Sequence, residues 1–285
     1  MILFLLVASH LAHAACSQDI LVPFSSLGVD QSRSAGVRTG LSITYLEEVS
    51  RRSGCRFVYM DTPRARAWLM FSRGEAGLVL SAVHRSERDQ SGEFYSQNVR
   101  EGVTLVSLKA HPLNLNSRED ILASGLIFSF IRGHHYGPKT AELISTLTTS
   151  RRATLASDPE TMLRMLKAGR INGAIVLASA ITTDAQQLGI DEQLTGIGIT
   201  DLDWATTGLY MSKYLPQEDK QLLARTFTEL NDEDFYIGLA QNQLDDLPVW
   251  MQSSIHLDHQ LPRYPAGRIL PPATVNKPLR HALSR

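Results

Sequence analysis

Residues 74–81 have the sequence GEAGLVLS, in which a glycine that ends a predicted helix precedes an apolar strand and a serine. Residues 169–179, GRINGAIVLAS, repeat this order later in the chain. Glycine often ends a helix because it adopts the left-handed backbone at little cost. An apolar run without alternation predicts a strand buried on both faces, as in a parallel sheet covered by helices. Two such units, well separated in the chain, indicate two α/β lobes.

The overall composition is that of an ordinary folded protein. The chain has 285 residues, of which 43% are hydrophobic and 20% are charged. This length accommodates one large domain or two lobes. Because the formal net charge is −1, charge provides no basis for binding nucleic acid or an anionic membrane. We therefore expect no nucleic-acid partner.

The first 15 residues predict a secretory signal peptide. Residues 2–7 are apolar, and Ala-His-Ala at residues 12–14 fits a cleavage site after Ala14 or Ala15. No Lys or Arg precedes the apolar run, so a buried first strand or helix is the alternative. No later run approaches the roughly 18–20 apolar residues of a membrane-spanning helix. The sequence therefore predicts an exported, periplasmic protein.

The two cysteines each precede a predicted strand. Cys16 lies before the strand at residues 20–24, and Cys55 lies before the strand at residues 56–60. If these strands are parallel neighbours, both cysteines lie near the same end of the sheet. An oxidising compartment then favours a bond between them. Our hypothesis is a disulfide between Cys16 and Cys55.

The rest of the chain alternates between helix and strand patterns. Further helices are predicted at residues 40–52, 65–71, 139–147 and 162–166 and from Pro216, and further strands at residues 78–81, 102–108, 126–130, 153–155, 173–177 and 206–211. This order predicts parallel sheets with right-handed crossovers. Asp61 and Thr62 precede Pro63 as candidate helix caps. Ligands bind beyond the carboxyl ends of parallel strands, so the residues after Leu80 and Val176 are the first candidates for a site.

Three stretches of the chain carry a resemblance to a known family. They are Gly36-Val37 with the helix up to Gly54, residues 74–81 with Ser86-Glu87-Arg88 and Phe94, and residues 132–135 with residues 169–174. In this order they resemble the periplasmic solute-binding proteins of the amino-acid ABC-transporter type, bacterial solute-binding protein family 3. The resemblance covers about residues 20–240 and implies a two-lobed type II periplasmic-binding fold. Each lobe would be a mostly parallel sheet flanked by helices, with two crossing strands as the hinge.

The resemblance also implies a domain plan and a ligand site. Lobe 1 would contain residues 16–109 and 206–245, lobe 2 residues 110–205, and a partly irregular extension residues 246–285. The arginine that matches Arg88 binds a ligand carboxylate through two parallel N–H donors. Ser81 and the backbone of Val83 match positions that hold polar groups of the ligand. The amides of Gly133, His134 and His135 match a helix N-terminus that binds anions.

Several positions depart from the pattern of the family. Leu177, Gly40 and Gly77 stand where the family has aspartates, and Leu177 replaces the one that receives the ammonium group. Because leucine cannot pair with a cation, we expect an anionic solute, for example an organic acid, rather than a zwitterionic amino acid. The arginines near cleft-facing strand ends also favour an anion, namely Arg64, Arg66, Arg85, Arg88 and Arg132. Of these, Arg85 and Arg66 are further candidate ligands, and Tyr136 is a candidate cleft wall.

Three functions are compatible with these residues. The first is a monomeric solute-binding protein for a small anionic or amino-acid-like solute, with an ABC permease or a sensor as partner. The second is a dehydratase-like enzyme on the same fold, which would need a general acid or base in the cleft. The candidates for that role are Asp61, His134, His135, Asp201 and Asp203. The third is a degenerate clamp that serves as an interaction module. No cofactor is expected, and adjacent histidines without a third ligand at metal spacing do not favour a metal site.

Overall fold

The computed structural model describes residues 15–34 and 36–258. The predicted signal peptide, apart from residue 15, and the predicted extension beyond residue 258 lie outside the described residues. Within the described ranges, none of the helices combines the length and the apolar character that crossing a membrane requires.

Every helix and strand predicted from the sequence overlaps an observed element. The strands of the described residues are β1 (Ile20–Phe24), β2 (Ser32–Ser34), β3 (Val37–Thr39), β4 (Phe57–Asp61), β5 (Leu78–Val83), β6 (Gly92–Leu108), β7 (Phe128–Ile131), β8 (Ala153–Ala156), β9 (Gly173–Leu177), β10 (Leu194–Gly198), β11 (Trp204–Ser212) and β12 (Ile255–Leu257). The helices are α1 (Leu41–Ser53), α2 (Arg64–Ser72), α3 (Ser86–Asp89), α4 (Arg118–Ala123), α5 (Pro138–Thr149), α6 (Pro159–Lys167), α7 (Thr182–Gln187), α8 (Gln217–Asp232), α9 (Phe235–Leu244) and α10 (Val249–Gln252). Gly74 and Gly169 have φ angles of 76° and 66°, which confirms the predicted left-handed residues after α2 and α6.

The first lobe contains two groups of paired strands with helices on both faces: the parallel pair of β1 and β4, and the antiparallel group of β5, β11 and the first half of β6. Strand β1 is parallel to β4 with Ile20 opposite Phe57, and the amide of Gly77, just before β5, donates to the carbonyl of Leu21 in β1. Strand β11 is antiparallel to β5 and to the first half of β6. Buried apolar side chains of β1 and β5 pack on α1 and α8, and Phe71 of α2 belongs to a second apolar cluster that includes Tyr210. This apolar surface buried on both faces explains the lack of alternation in β5.

The second lobe repeats this arrangement with different strands. Strand β7 is parallel to both β8 and β9, and β9 is antiparallel to the second half of β6. The side chains of α6 pack on one face of β9, and those of α5 pack on the other face with Phe128 and Phe130. All residues of β9 are buried, as the apolar run at residues 173–177 predicts.

Strand β6 runs through both lobes. The sequence predicts a strand only at residues 102–108, but the observed strand begins at Gly92 and has 17 residues. Its first half carries polar residues, and Asn98 adopts a φ of 59° at an irregularity in the pairing with β11. The polar residues and this irregularity explain why the sequence shows no strand pattern in the first half of β6. Strand β6 and the chain around β11 are the two crossings that join the lobes of the type II periplasmic-binding fold.

Several observed elements have no counterpart among the predicted ones, namely β2, β3, α3, α4, α7, β10, α9, α10 and β12. Strands β2 and β3 pair as a hairpin. Strand β12 follows α10 in the extension that was expected to be partly irregular, and it pairs with β6. Pro248 precedes the first residue of α10, so this proline stands at a helix start, where its missing N–H costs nothing.

The predicted disulfide is present. Cys16 and Cys55 are bonded, with their Cα atoms 4.6 Å apart. The residue that follows Cys16 is held as well, because Ser17 donates through its amide and its hydroxyl to the carboxylate of Asp219 in α8. The beginning of the described chain is therefore attached to α8 and to the strand β4 that follows Cys55.

The predicted capping of α2 is wrong. The residue before the helix is Pro63, and no side chain caps this end. Asp61 instead forms ion pairs with Arg33 and Arg38 of the β2–β3 hairpin. The Thr62 hydroxyl donates to the carbonyl of Met60. The local sequence did not reveal that Asp61 pairs with Arg33 and Arg38, because the hairpin that carries these arginines lies far from Asp61 in the chain.

Candidate ligand-binding site

A cleft lies between the lobes at the carboxyl ends of β5, β7 and β9. We call this space the cleft; its volume is about 40 Å³. A single water needs roughly 10–15 Å³ by the same measure, so the cleft has room for a small solute. Six of the nine predicted ligand residues line it, namely Ser81, Val83, Arg88, Gly133, His134 and His135.

Arg88 is held at the wall of the cleft by α3. Its Nη1 atom donates to the carbonyl oxygen of Val83 at 2.9 Å. Its guanidinium carbon lies 3.4 Å from the centre of the Trp68 ring, a cation–π contact. Burial, and then the nearby guanidinium groups of Arg64 and Arg85, lower the pKa of Arg88 to about 9. The side chain is therefore a cation in an environment that disfavours its charge.

Arg64 is a second guanidinium in the cleft, and it is only 6% exposed. As the first residue of α2, it donates to the carbonyl oxygens of Leu80 at 2.8 Å and Ser81 at 2.7 Å. Burial lowers its pKa to about 10, although Asp30 opposes this effect electrostatically. These bonds hold Ser81 at the end of β5, where its φ of 50° is unusual for a residue other than glycine.

Neither of these arginines forms an ion pair with a carboxylate of the described residues. Other arginines of the chain do, for example Arg85 with Glu87. A buried charge is costly unless it is paired. The carbonyl contacts use only some of the five N–H donors that a guanidinium offers. The remaining donors make this wall of the cleft a suitable site for an anion.

The loop after β7 forms the opposite wall. Gly133 has a φ of 82°, and a Cβ atom there would lie 2.8 Å from the amide nitrogen of Ala65, so the loop contacts the start of α2. The resemblance implies a helix N-terminus at residues 133–135, and this is wrong. Helix α5 begins at Pro138, and the amide of His134 donates to the carbonyl of Ile131.

Both histidines of this loop are neutral. Burial, and then the charges of Arg64 and Arg88, lower the pKa of His134 to about 3. For His135, burial and the charges of Arg85 and Arg88 lower the pKa to about 4. The Nε2 atom of His134 has no hydrogen-bond partner among the described residues. This atom remains available to a solute.

Two acids that the sequence analysis did not select also line the cleft. Glu101 of β6 is 2% exposed and accepts hydrogen bonds from the amide of Ser179 at 2.8 Å and from its hydroxyl at 2.6 Å. Asp30 accepts a hydrogen bond from the hydroxyl of Tyr236. Burial raises the pKa of Asp30 and raises that of Glu101 to about 7. The signal in the sequence was Glu101, a charged residue directly before the predicted apolar strand at residues 102–108.

The other predicted site residues lie elsewhere. Arg85 forms an ion pair with Glu87, and Arg66 is exposed on α2. Tyr136 is 2% exposed in the core of the second lobe, with its ring 5.9 Å from that of His134. The sequence alone did not reveal where these side chains point, because the position of each residue in its helix or loop sets the direction of its side chain.

The acids considered for catalysis have structural contacts instead. Asp201 accepts from the amide of Arg118, and Asp203 accepts from the amide of Lys139 at 2.7 Å. Neither lines the cleft, and neither does Asp61. Leu177 does line it and is 7% exposed, so the position of the family's aspartate is an apolar part of the wall.

Comparisons with solved structures agree with this fold. The chain is similar to a histidine kinase sensor domain with similarity to periplasmic binding proteins, at 11% identity and a TM-score of 0.66, over 80% of this chain and 96% of that one. It is also similar to the substrate-binding protein of an amino acid ABC transporter, at 12% identity and a TM-score of 0.61, over 79% and 98%.

A third similar structure is the arginine-, lysine-, histidine-binding protein ArtJ from the thermophilic bacterium Geobacillus stearothermophilus. Its identity is 11% and its TM-score 0.66, over 81% of this chain and 97% of that one. No family model and no curated protein matches the sequence. At these identities the likeness concerns the fold, and the chain has the type II periplasmic-binding fold.

Proposed function

We propose that this protein binds a small carboxylate-containing solute in the cleft. The observation that carries the proposal is the buried guanidinium group of Arg64 beside the partly buried one of Arg88, neither with an ion-pair partner among the described residues. A carboxylate would neutralise them and accept their free N–H donors. The planar guanidinium matches the two oxygens of a carboxylate, and such charge-assisted hydrogen bonds are among the strong ones.

Other groups of the cleft support an acidic solute. Trp68 and His134 each have a ring nitrogen without a hydrogen-bond partner among the described residues. The Trp68 indole N–H is a donor, and the neutral His134 imidazole offers a donor or an acceptor, depending on its tautomer. Leu177 adds an apolar contact. An organic acid is the solute class we favour, and an amino-acid-like solute remains the alternative because Asp30 and Glu101 also face the cleft.

We further propose a role in uptake or sensing. Proteins of this fold named for an amino acid ABC transporter and for a histidine kinase sensor are both similar in structure, which supports an ABC permease or a sensor as partner. The disulfide and the predicted signal peptide support a periplasmic location. Hinge closure would move residues 110–205 against residues 16–109 and 206–245 and bury the solute.

A thermal-shift screen with organic acids, amino acids and neutral analogues tests the proposal. We expect acids to raise the melting temperature, because a ligand that binds the native state stabilises it by mass action. Arg88→Ala should weaken the binding of the best acid by about 10-fold or more, since a hydrogen bond to a charged group contributes roughly 1.5–3 kcal/mol. Arg73→Ala, at the other end of α2 and largely exposed, is the control. Equal affinity in the two variants would refute the carboxylate role of Arg88.

The same samples separate the alternative functions. Mass spectrometry after incubation shows whether an acid is consumed. A dehydrated product would replace the binding proposal with the dehydratase-like enzyme. Of the candidate acids and bases named from the sequence, His134 and His135 line the cleft, and Asp30 and Glu101 are further titratable residues there. If none of the compounds shifts the melting temperature, the degenerate interaction module becomes the better hypothesis.

A further inference from the structure

A second cavity lies behind the cleft, on the side of α9. It also has a volume of about 40 Å³. Asp30, Glu101, Ser179 and Thr207 line both spaces and form the wall between them. We call this space the rear cavity. Because Gln243 lines it and is exposed, the rear cavity reaches the surface next to α9.

The remaining walls of the rear cavity are mostly apolar. The apolar side chains are those of Val29, Leu41, Val99, Ala240, Leu244, Leu247 and Ile255. Val99 and Ala240 are buried, and Leu41 and Leu244 are partly buried. Such a surface favours an alkyl or aryl group, because removing apolar surface from water is favourable.

The floor of the rear cavity is acidic. Among the residues that the structure describes, neither Asp30 nor Glu101 forms an ion pair with Lys, Arg or His. Arg64 is near enough to act on Asp30 electrostatically. The hydrogen bonds to both acids come from uncharged groups: the hydroxyls of Tyr236, Ser81 and Ser42 for Asp30, and Ser179 and the amide of Ala178 for Glu101. Burial raises the pKa of both carboxyl groups. Burial therefore disfavours the charged forms of Asp30 and Glu101, and a cation bound next to them would offset this effect.

From this arrangement we infer that the rear cavity binds a small organic ammonium ion, with its charge at Asp30 and Glu101 and its apolar part against Leu41, Ala240 and Leu244. Asp30 and Glu101 also line the cleft, but the apolar part of the amine would lie on the opposite side of the shared wall from the guanidinium groups of Arg64 and Arg88. The volume corresponds to about three or four water-sized groups, so an amine with a short alkyl chain fits.

Titration of the whole protein with n-propylammonium chloride tests this inference, with the melting temperature and calorimetry as measurements. Sodium chloride at equal ionic strength and n-propanol are the matched controls. We expect n-propylammonium to bind and to raise the melting temperature, and n-propanol to do so at least about 10-fold more weakly. No stabilisation by the amine, or equal stabilisation by the alcohol, would overturn the proposal.

Variants locate the binding. Leu244→Trp should fill the rear cavity and abolish the amine response, and Leu247→Trp is a second cavity-filling variant at the same wall. Leu69→Trp, which adds the same ring at an exposed position of α2, should leave the response unchanged. Glu101→Gln should weaken the amine at least about 10-fold. Amine binding that survives both cavity-filling variants would exclude this location, whereas the response to acids reports separately on the carboxylate site.

Discussion

Replacing Glu101 by glutamine should change how the stability of the protein depends on pH. Glu101 is 2% exposed in β6, and its carboxylate accepts two hydrogen bonds from Ser179. Glutamine has the same shape and cannot ionise. Its carbonyl oxygen can accept from the Ser179 amide, and its amide group can donate to the Ser179 hydroxyl. The substitution therefore removes the charge and leaves the packing of β6 in place.

The size of the effect follows from the pKa of the carboxyl group. Burial raises the pKa of Glu101 from 4.5 to about 7, and the hydrogen bonds from Ser179 oppose this only in part. Below pH 4.5 the group is protonated in both states and has no effect on stability. Between pH 4.5 and 7 the unfolded state loses its proton first, so the free energy of unfolding falls as the pH rises. At 1.36 kcal/mol per pKa unit, the loss is roughly 3 kcal/mol and is complete above about pH 7.

Urea unfolding of both proteins between pH 4.5 and 8, at fixed ionic strength, measures this effect. The free energy of unfolding of Glu101→Gln minus that of the unchanged protein should rise by about 3 kcal/mol over this range. Groups present in both proteins, such as Asp184 with its pKa raised to about 6 by burial, largely cancel in the difference.

The control for this prediction is Glu87→Gln. Glu87 is exposed, and a backbone hydrogen bond and the Arg85 side chain lower its pKa. A group of this kind stabilises the native state above its unfolded pKa of about 4.5 and loses this effect only at lower pH, so between pH 4.5 and 8 the difference should stay nearly constant. A pH-independent difference for Glu101→Gln would refute the argument that Glu101 is a buried acid with a raised pKa.

Two further predictions concern lobe contact and the disulfide. Gly133→Ala should weaken solute binding because the new Cβ would meet the backbone of Ala65. The control is Gly125→Ala, at a φ of 70° with no atom within 4 Å, which should lower stability without weakening binding. Equal affinities of the two variants by calorimetry would contradict the contact between residue 133 and Ala65. Reducing the bond between Cys16 and Cys55, which are 39 residues apart, should lower the free energy of unfolding by about 3–4 kcal/mol. An unchanged urea midpoint after reduction would contradict this expectation.

Much of the fold follows from local sequence because its causes are local. Glycine after α2 and α6, apolar runs in β5 and β9 and the alternation of helices and strands depend on backbone preferences over a few residues. Positions after strand ends then predict part of the cleft, because parallel strands end at the same edge of a sheet. Ser81, Leu177 and Ser179 follow such strand ends and line the cleft, whereas Arg88 and His134, which also line it, were selected from the family resemblance.

Local sequence could not predict the partners that come from distant segments. Glu101 meets Ser179, and Asp30 meets Tyr236, only because the lobes and α9 pack around β6. Arg64 belongs to the cleft because the start of α2 lies against the end of β5, where Leu80 and Ser81 accept its hydrogen bonds. These contacts join segments that are far apart in the sequence, so local patterns do not reveal them.

The sequence by itself therefore determined the elements, the two lobes and the edge at which a site forms. Only the tertiary structure decided which charges meet there. Arg85 and Arg88 lie three positions apart, yet Arg85 pairs with Glu87 while Arg88 packs on Trp68 in the cleft. The physical reason is that helix and strand patterns arise from neighbouring residues, whereas the direction and burial of a charged side chain depend on the surfaces that pack around it.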